Sequence, residues 1–80
     1  MVSTLITLNT TWTKLVDDGT DFTLMVKSGE PVLISYSTGA PTDDTTALSI
    51  PVNAGWTSAY GQGEVWGKAQ THSANIILIN

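Results

Sequence analysis

The segment "ANIILI", residues 74–79, is apolar at four successive positions near the end of the 80-residue chain. In an extended strand, side chains alternate between two faces, so Ile76 and Leu78 point one way and Ile77 and Ile79 point the other. One face must enter a core. We expect the other to lie against another subunit, since an open apolar strand invites aggregation. The alternative is a central strand whose outer face is covered by a loop.

The same period of two recurs upstream, in segments rich in β-branched and aromatic residues. The segments are "STLITLN" (3–9), "DFTLMVK" (21–27), "PVLISYS" (31–37) and, more weakly, "TALSIPV" (46–52). Pro51 confines the last of them to a sheet edge or to the end of its strand. Shared parity within the strands predicts a core of Ile6, Leu8, Phe22, Leu24, Val26, Val32, Ile34, Leu48, Ile50, Ile76 and Leu78.

Turn-forming residues separate these segments at short intervals. In "DDGTD" (17–21) and "KSGEP" (27–31), Gly19 and Gly29 can adopt a positive φ. No stretch shows a helical period over three turns. About seven short strands between such turns predict an all-β fold, a single small antiparallel β-sandwich or barrel formed by one domain over residues 1–80.

The composition is unusually poor in charge. Charged residues make up 12% of the chain, about half the share in an ordinary globular domain. Serine and threonine supply 20 of the 80 residues. This balance favours a protein packed against neighbours, although a β-domain that uses hydroxyl groups for solubility would look similar. A core this small also gains from a partner, which favours a homo-oligomer.

Charge and hydropathy exclude several kinds of partner. The net charge is −4, with three lysines and no arginine, which predicts no nucleic-acid binding. No apolar run approaches the ~20 residues of a membrane span. The opening "MVSTLITLNTT" lacks the basic region and cleavage pattern of a secretory signal, so we expect synthesis and retention in a cytoplasm until assembly.

Chemistry-bearing residues form no legible catalytic or metal-binding pattern. The chain has no cysteine and one histidine, His72, which is expected in a solvent-facing turn. Asp17, Asp18 and Asp21 lie close together but lack the oxygen-ligand spacing of an EF-hand calcium loop. The sequence therefore predicts a non-enzymatic protein with no cofactor and no metal.

Three tryptophans are many for a chain of this length. Trp12, Trp56 and Trp66 could stack on sugar rings if they were exposed in a row. Packing in the core or at a subunit contact is the more frequent role of tryptophan. Because Trp66 alternates with Val65, one of the two must look outward, and Trp66 joins Ile77 and Ile79 as a candidate subunit or capsid contact.

The order of these segments resembles that of small all-β virion proteins of tailed bacteriophages. The resemblance rests on "TTWTKL" (10–15), "VLISYS" (32–37) followed by "STGAPT" (37–42), "GEVWGKA" (63–69) and the final "ANIILI". It implies a structural part of the virion, either a capsid decoration or stabilising protein or a small tail protein. Such a protein would act through contacts with other capsid or tail proteins, as a symmetric homo-oligomer with a trimer favoured.

The alternative function is a small carbohydrate-binding β-module used for host attachment, with exposed Trp12, Trp56 and Trp66 as its platform. The virion interpretation predicts that the protein in solution has the mass of a symmetric oligomer. The carbohydrate-binding interpretation predicts a flat, exposed tryptophan.

Overall fold

Two antiparallel sheets of four strands each form the protein. The computed structural model describes residues 2–45, 47–58 and 63–80. The strands are β1 (Ser3–Leu8), β2 (Thr13–Val16), β3 (Phe22–Ser28), β4 (Val32–Ser37), β5 (Leu48–Ile50), β6 (Gly55–Ser58), β7 (Glu64–Ala69) and β8 (Ala74–Ile79). None of the described residues is helical. Sheet A has the strand order β1-β8-β3-β6, and sheet B has the order β2-β7-β4-β5. The prediction of a small all-β sandwich is confirmed.

The core lies between the sheets and is built from the alternation seen in the sequence. Nine of the eleven predicted core residues are buried, and Ile6 packs against the cluster while partly exposed. The buried hydrophobic residues are Leu8, Val16, Phe22, Leu24, Val26, Val32, Ile34, Ile50, Val65, Ala69, Ala74, Ile76 and Leu78.

One core prediction is wrong. Leu48 is 42% exposed, although it is paired with the buried Ile34. It opens the three-residue strand β5 at the edge of sheet B, where a side chain has a neighbouring strand on one side only. Pro51 directly follows this edge strand, as its missing N–H requires.

The last strand is central rather than at an edge. β8 pairs with β1 on one side and with β3 on the other. Ile76 and Leu78 are buried, while Ile77 and Ile79 lie on the outer face and are half-buried. Flanking strands therefore shield the backbone of this apolar segment, which removes the edge-pairing hazard that its sequence suggested.

The two predicted turns adopt the expected backbone. Gly19 has φ 85° and Gly29 has φ 99°. A Cβ on Gly29 would lie 2.7 Å from the carbonyl oxygen of Ser73 and 2.8 Å from the Cα of Ala74. The β3–β4 turn thus packs directly on the β7–β8 turn, and only glycine allows that approach.

Candidate protein–protein interface

An apolar row crosses the outer face of sheet A. Leu5 of β1 is opposite Ile77 of β8, and Ile77 is opposite Met25 of β3. Met25 is in turn opposite Gly55 of β6. Leu5 is 59% exposed and Met25 is 42% exposed. These neighbours show that solvent reaches the face on which Ile77 lies.

A row of mainly polar residues lies on each side of this apolar row. Thr7, Asn75 and Ser28 are in register on one side. The Thr7 hydroxyl donates to Asn75 Oδ1 at 2.7 Å, and Asn75 Nδ2 donates to the Ser28 hydroxyl at 3.0 Å. Side-chain hydrogen bonds already satisfy these groups, so covering them with a partner leaves few polar atoms unpaired.

The row on the other side includes Ile79. Ser3, Ile79 and Thr23 are in register there, with Thr57 beyond them. The hydroxyls of Thr23 and Thr57 are 3.2 Å apart and share a hydrogen bond. The paired positions of this face carry no charged residue, and the exposed Lys27 lies at the end of β3, at the irregularity between Val26 and Ser28. An apolar centre with a mainly polar border is the composition of a protein–protein contact.

The outer face of sheet B is built differently. Lys68 of β7 forms an ion pair with Asp44 at 2.9 Å, and its side chain is only 15% exposed. The backbone N–H of Gly39 donates to Glu64 Oε1 at 2.8 Å. Ser35, which also faces outward, is 6% exposed. The long β4–β5 connection, described over residues 38–45, therefore lies over this face and covers part of it.

Trp66 lies on this covered face. It is opposite Lys14 of β2 and Ser35 of β4, which places it on the outer side of sheet B. Its indole Nε1 is buried without a hydrogen-bond partner among the described residues. The predicted contact set of Trp66, Ile77 and Ile79 is therefore split between opposite faces of the sandwich. Ile77 and Ile79 share a surface, and Trp66 does not belong to it.

The other two tryptophans lie elsewhere. The Lys68 ammonium sits 5.4 Å from the centre of the Trp12 ring, a cation–π contact that occupies one face of that ring. Trp56 of β6 packs against the core, and its Nε1 donates to the Tyr36 hydroxyl at 2.7 Å. All three tryptophans are half-buried. They do not present three flat rings in one exposed row.

Asp17 and Asp18, next to each other after β2, form structural links. Asp18 Oδ1 accepts from the Gly63 backbone at 3.0 Å. Lys14 donates to Asp17 at 2.8 Å, and this bond raises the pKa of Lys14. Within the described ranges, no cluster of three or more His, Cys, Asp or Glu residues could hold a metal ion.

His72 lies exposed in the β7–β8 turn beside a carboxylate clasp. Glu30 accepts hydrogen bonds from the Thr71 hydroxyl at 2.6 Å and from the backbone N–H of Thr71 and of His72, at 3.1 and 2.6 Å. The Thr71 hydroxyl bond, followed by the His72 backbone bond, lowers the pKa of Glu30 below its usual 4.5. Glu30 thereby ties the β3–β4 turn to the β7–β8 turn.

Comparison with protein-family models, with curated proteins and with solved structures finds no match to this chain. No helix in the described part of the chain is long and apolar enough to cross a membrane.

Two members of the apolar row were not singled out from the sequence. Leu5 and Met25 alternate with core residues and so were placed on the outer side of their strands. They lie beside Ile77 because β8 lies between β1 and β3. A search for apolar residues at the outward parity of every strand would have found both.

Proposed function

We propose that this protein is a non-enzymatic structural subunit that docks the outer face of sheet A onto other proteins. The observation that carries the proposal is the uncharged row of the exposed Leu5 and Met25 and the half-buried Ile77, on the outer side of a sheet that buries its other face. Burial of such a side chain contributes about 1.5–3 kcal/mol. A partner that covers this row would add to a core that is small for a free-standing domain.

The assembly that we propose is the virion of a tailed bacteriophage. The order of segments that resembles small virion proteins supports this, as does the low content of charged residues, 12% of the chain. The protein would be made in the host cytoplasm and act as a capsid decoration or stabilising protein, or as a small tail protein. Its partners would be other capsid or tail proteins.

The carbohydrate-binding alternative has weaker geometric support. It requires a flat and exposed indole, whereas Trp56 donates to Tyr36 at the edge of the core and Trp12 is covered on one side by Lys68. Titration of host-surface glycans against intrinsic tryptophan fluorescence would favour this alternative if one Trp→Ala change abolished a saturable shift.

Replacement of Ile77 and Ile79 together by threonine tests the docking face. Threonine keeps the β-propensity and removes most of the apolar area. We expect a folded protein that no longer co-sediments with particles assembled from the major capsid and tail proteins encoded in the same genome. Circular dichroism and urea unfolding would establish that the variant is folded.

The matched control is Leu48→Thr. Leu48 is an exposed leucine on the edge strand of the other sheet, and we expect this variant to co-sediment like the parent protein. Normal binding by the Ile77→Thr, Ile79→Thr variant, or equal loss in the control, would overturn the proposal.

A further inference from the structure

The free edge of β1 is the least protected strand edge in the structure. The other three edge strands carry features that discourage pairing with another chain. β5 has three residues and is followed by Pro51, β2 has Lys14 and a register irregularity, and β6 has four residues. β1 has six residues, Ser3–Leu8, with neither charge nor proline.

The direction of the backbone groups on this edge follows from the pairing of β1 with β8. Val2 and Asn80 exchange two hydrogen bonds, at 2.8 and 3.1 Å. In an antiparallel pair, hydrogen-bonded and non-hydrogen-bonded positions alternate. The backbone N–H and C=O groups of Ser3, Leu5 and Thr7 therefore point away from β8. Among the described residues, no backbone group outside the sheet pairs with them.

We propose that a second copy of this chain pairs with β1 through its own β1, antiparallel and in a two-fold register centred on Leu5. Leu5 then lies opposite Leu5 of the second copy, and Ser3 lies opposite its Thr7. This register uses all three outward-pointing residues on each copy, and each pair forms two backbone hydrogen bonds. A shift by two residues in either direction would leave one of the three without a partner inside the strand.

The side chains fit the same register. Leu5 lies on the outer face of sheet A, so the rows Leu5–Ile77–Met25 of the two copies join into one apolar row across a continuous sheet. On the core side of β1, Val2 is 64% exposed and Ile6 is only partly buried. The register sets Val2 opposite Leu8 of the second copy, and Ile6 opposite its Thr4, which covers apolar surface that a single chain leaves exposed.

The β1 edge brings no charged side chain into the contact, although the net charge of the chain opposes association at long range. The chain carries a net charge of −4, so two copies repel each other at long range. β1 itself contributes no charge to a contact at close range. A closed two-fold contact uses the same surface on both chains. It differs from the trimer that the phage resemblance favours, and it stands independently of the virion proposal.

Single cysteines test the register, since the chain has no cysteine of its own. A hydrogen-bonded antiparallel pair has its Cα atoms about 5.5 Å apart, within the range for a disulfide. We expect Leu5→Cys alone to form a disulfide-linked dimer under mild oxidation. Ser3→Cys alone and Thr7→Cys alone should stay uncrosslinked, whereas their mixture should crosslink. Met25→Cys, two strands away from the edge, is the control and should stay monomeric on non-reducing gels.

Leu5→Pro tests the same contact without oxidation. It removes an N–H that points away from β8, and proline is tolerated on such an edge position. We expect sedimentation equilibrium to show twice the mass of one chain for the parent protein at concentrations on the order of 100 micromolar, because small interfaces are weak. Leu5→Pro should weaken the dimer about 10- to 100-fold. If it does not fold, Leu5→Lys serves the same purpose.

Met25→Lys separates this inference from the proposed function. It places a charge on the docking face but leaves the β1 edge unchanged, so we expect it to dimerise normally and to lose particle binding. A monomeric parent protein, a trimeric mass, or crosslinking of Ser3→Cys with itself would overturn the two-fold β1 contact.

Discussion

Gly67 shows how closely single residues determine the packing of the two sheets. It lies on the inner side of β7, and a Cβ there would lie 2.9 Å from Leu15 Cδ1, 3.2 Å from Ile34 Cδ1 and 3.3 Å from Leu8 Cδ1. Side chains from β1, β2 and β4 thus converge on Gly67, which has no side chain of its own. The absence of a Cβ lets sheet A approach sheet B at the centre of the core.

Gly67→Ala is expected to destabilise the protein by about 1–3 kcal/mol, because the extra methyl group overpacks a close-packed core. The free energy of unfolding in urea would measure this. Gly39→Ala is the control: its Cβ would meet nothing within 4 Å, so only the positive φ of 82° opposes it. A loss below about 1 kcal/mol at Gly67 would contradict this account of the core.

Glu30 gives the protein a specific response to acid. Its folded-state pKa is lowered by the hydrogen bonds from Thr71 and His72. A group of this kind contributes stability that is fully present above its unfolded-state pKa, near 4.5, and that is lost as pH falls through the lower folded-state pKa.

Glu30→Gln should therefore lower the free energy of unfolding at neutral pH and flatten its decline below about pH 4.5. Urea unfolding across this range would measure both effects, with Asp21→Asn as the control. An unchanged acid response in Glu30→Gln would rule out the clasp as its source.

At the scale of elements, the connection between β4 and β5 decides which face of the sandwich is covered. Residues 38–45 of this connection are tied to sheet B through Asp44 and Gly39, which contact Lys68 and Glu64 of β7. The turn that follows β3 of sheet A, residues 29–31, is short. Part of the outer face of sheet B, around Lys68 and Glu64, is thereby shielded from solvent, whereas the apolar row of sheet A is open to it.

Asp44→Ala is expected to loosen this cover. The Asp44 side chain is 48% exposed, so the loss of stability should stay below about 1 kcal/mol. The larger effect should be on the solvent exposure of two indoles. Lys68 also lies over Trp12, and the β4–β5 connection lies beside Trp66. Acrylamide should quench tryptophan emission more strongly in Asp44→Ala than in the parent protein. Asp43→Ala changes a neighbouring residue that, among the described residues, accepts a hydrogen bond from Thr45 of its own loop, and it should leave quenching unchanged.

At the scale of the whole molecule, the protein is a thin slab with two unlike broad faces. Its principal extents are 29 × 28 × 15 Å. In such a shape the outer faces of the sheets make up much of the surface, and the enclosed core is small. The charged residues that link strands lie at turns and on sheet B, and the apolar row lies on sheet A. The slab therefore has one broad face partly covered by its own β4–β5 connection and one broad face whose apolar row is open to a partner protein.

This separation predicts an unusual response to salt. Two chains of net charge −4 repel each other, while their contact on sheet A is uncharged. Screening should therefore strengthen self-association, by roughly two- to fivefold between about 20 mM and about 500 mM NaCl. Sedimentation equilibrium at both salt concentrations would measure the change. Weaker association at high salt would point instead to a contact held by ion pairs.

Much of the local structure followed from the sequence because β alternation is a local property. The period of two placed Ile76 and Leu78 in the core and Ile77 on the outer side, and glycine allowed the positive φ of the predicted turns. Two short strands, β2 and β6, were not recognised. Each has four residues, which is too short for a period of two to be distinctive.

The tertiary structure alone decided which outward residues meet and which of them are covered. β8 lies between β1 and β3, so Leu5, Ile77 and Met25 become one row although they are far apart in the chain. Trp66 has the same outward parity as Ile77 but belongs to the other sheet, beneath the β4–β5 connection. Parity is set residue by residue along a strand, whereas strand order and loop placement depend on long-range packing, and a candidate interface depends on both.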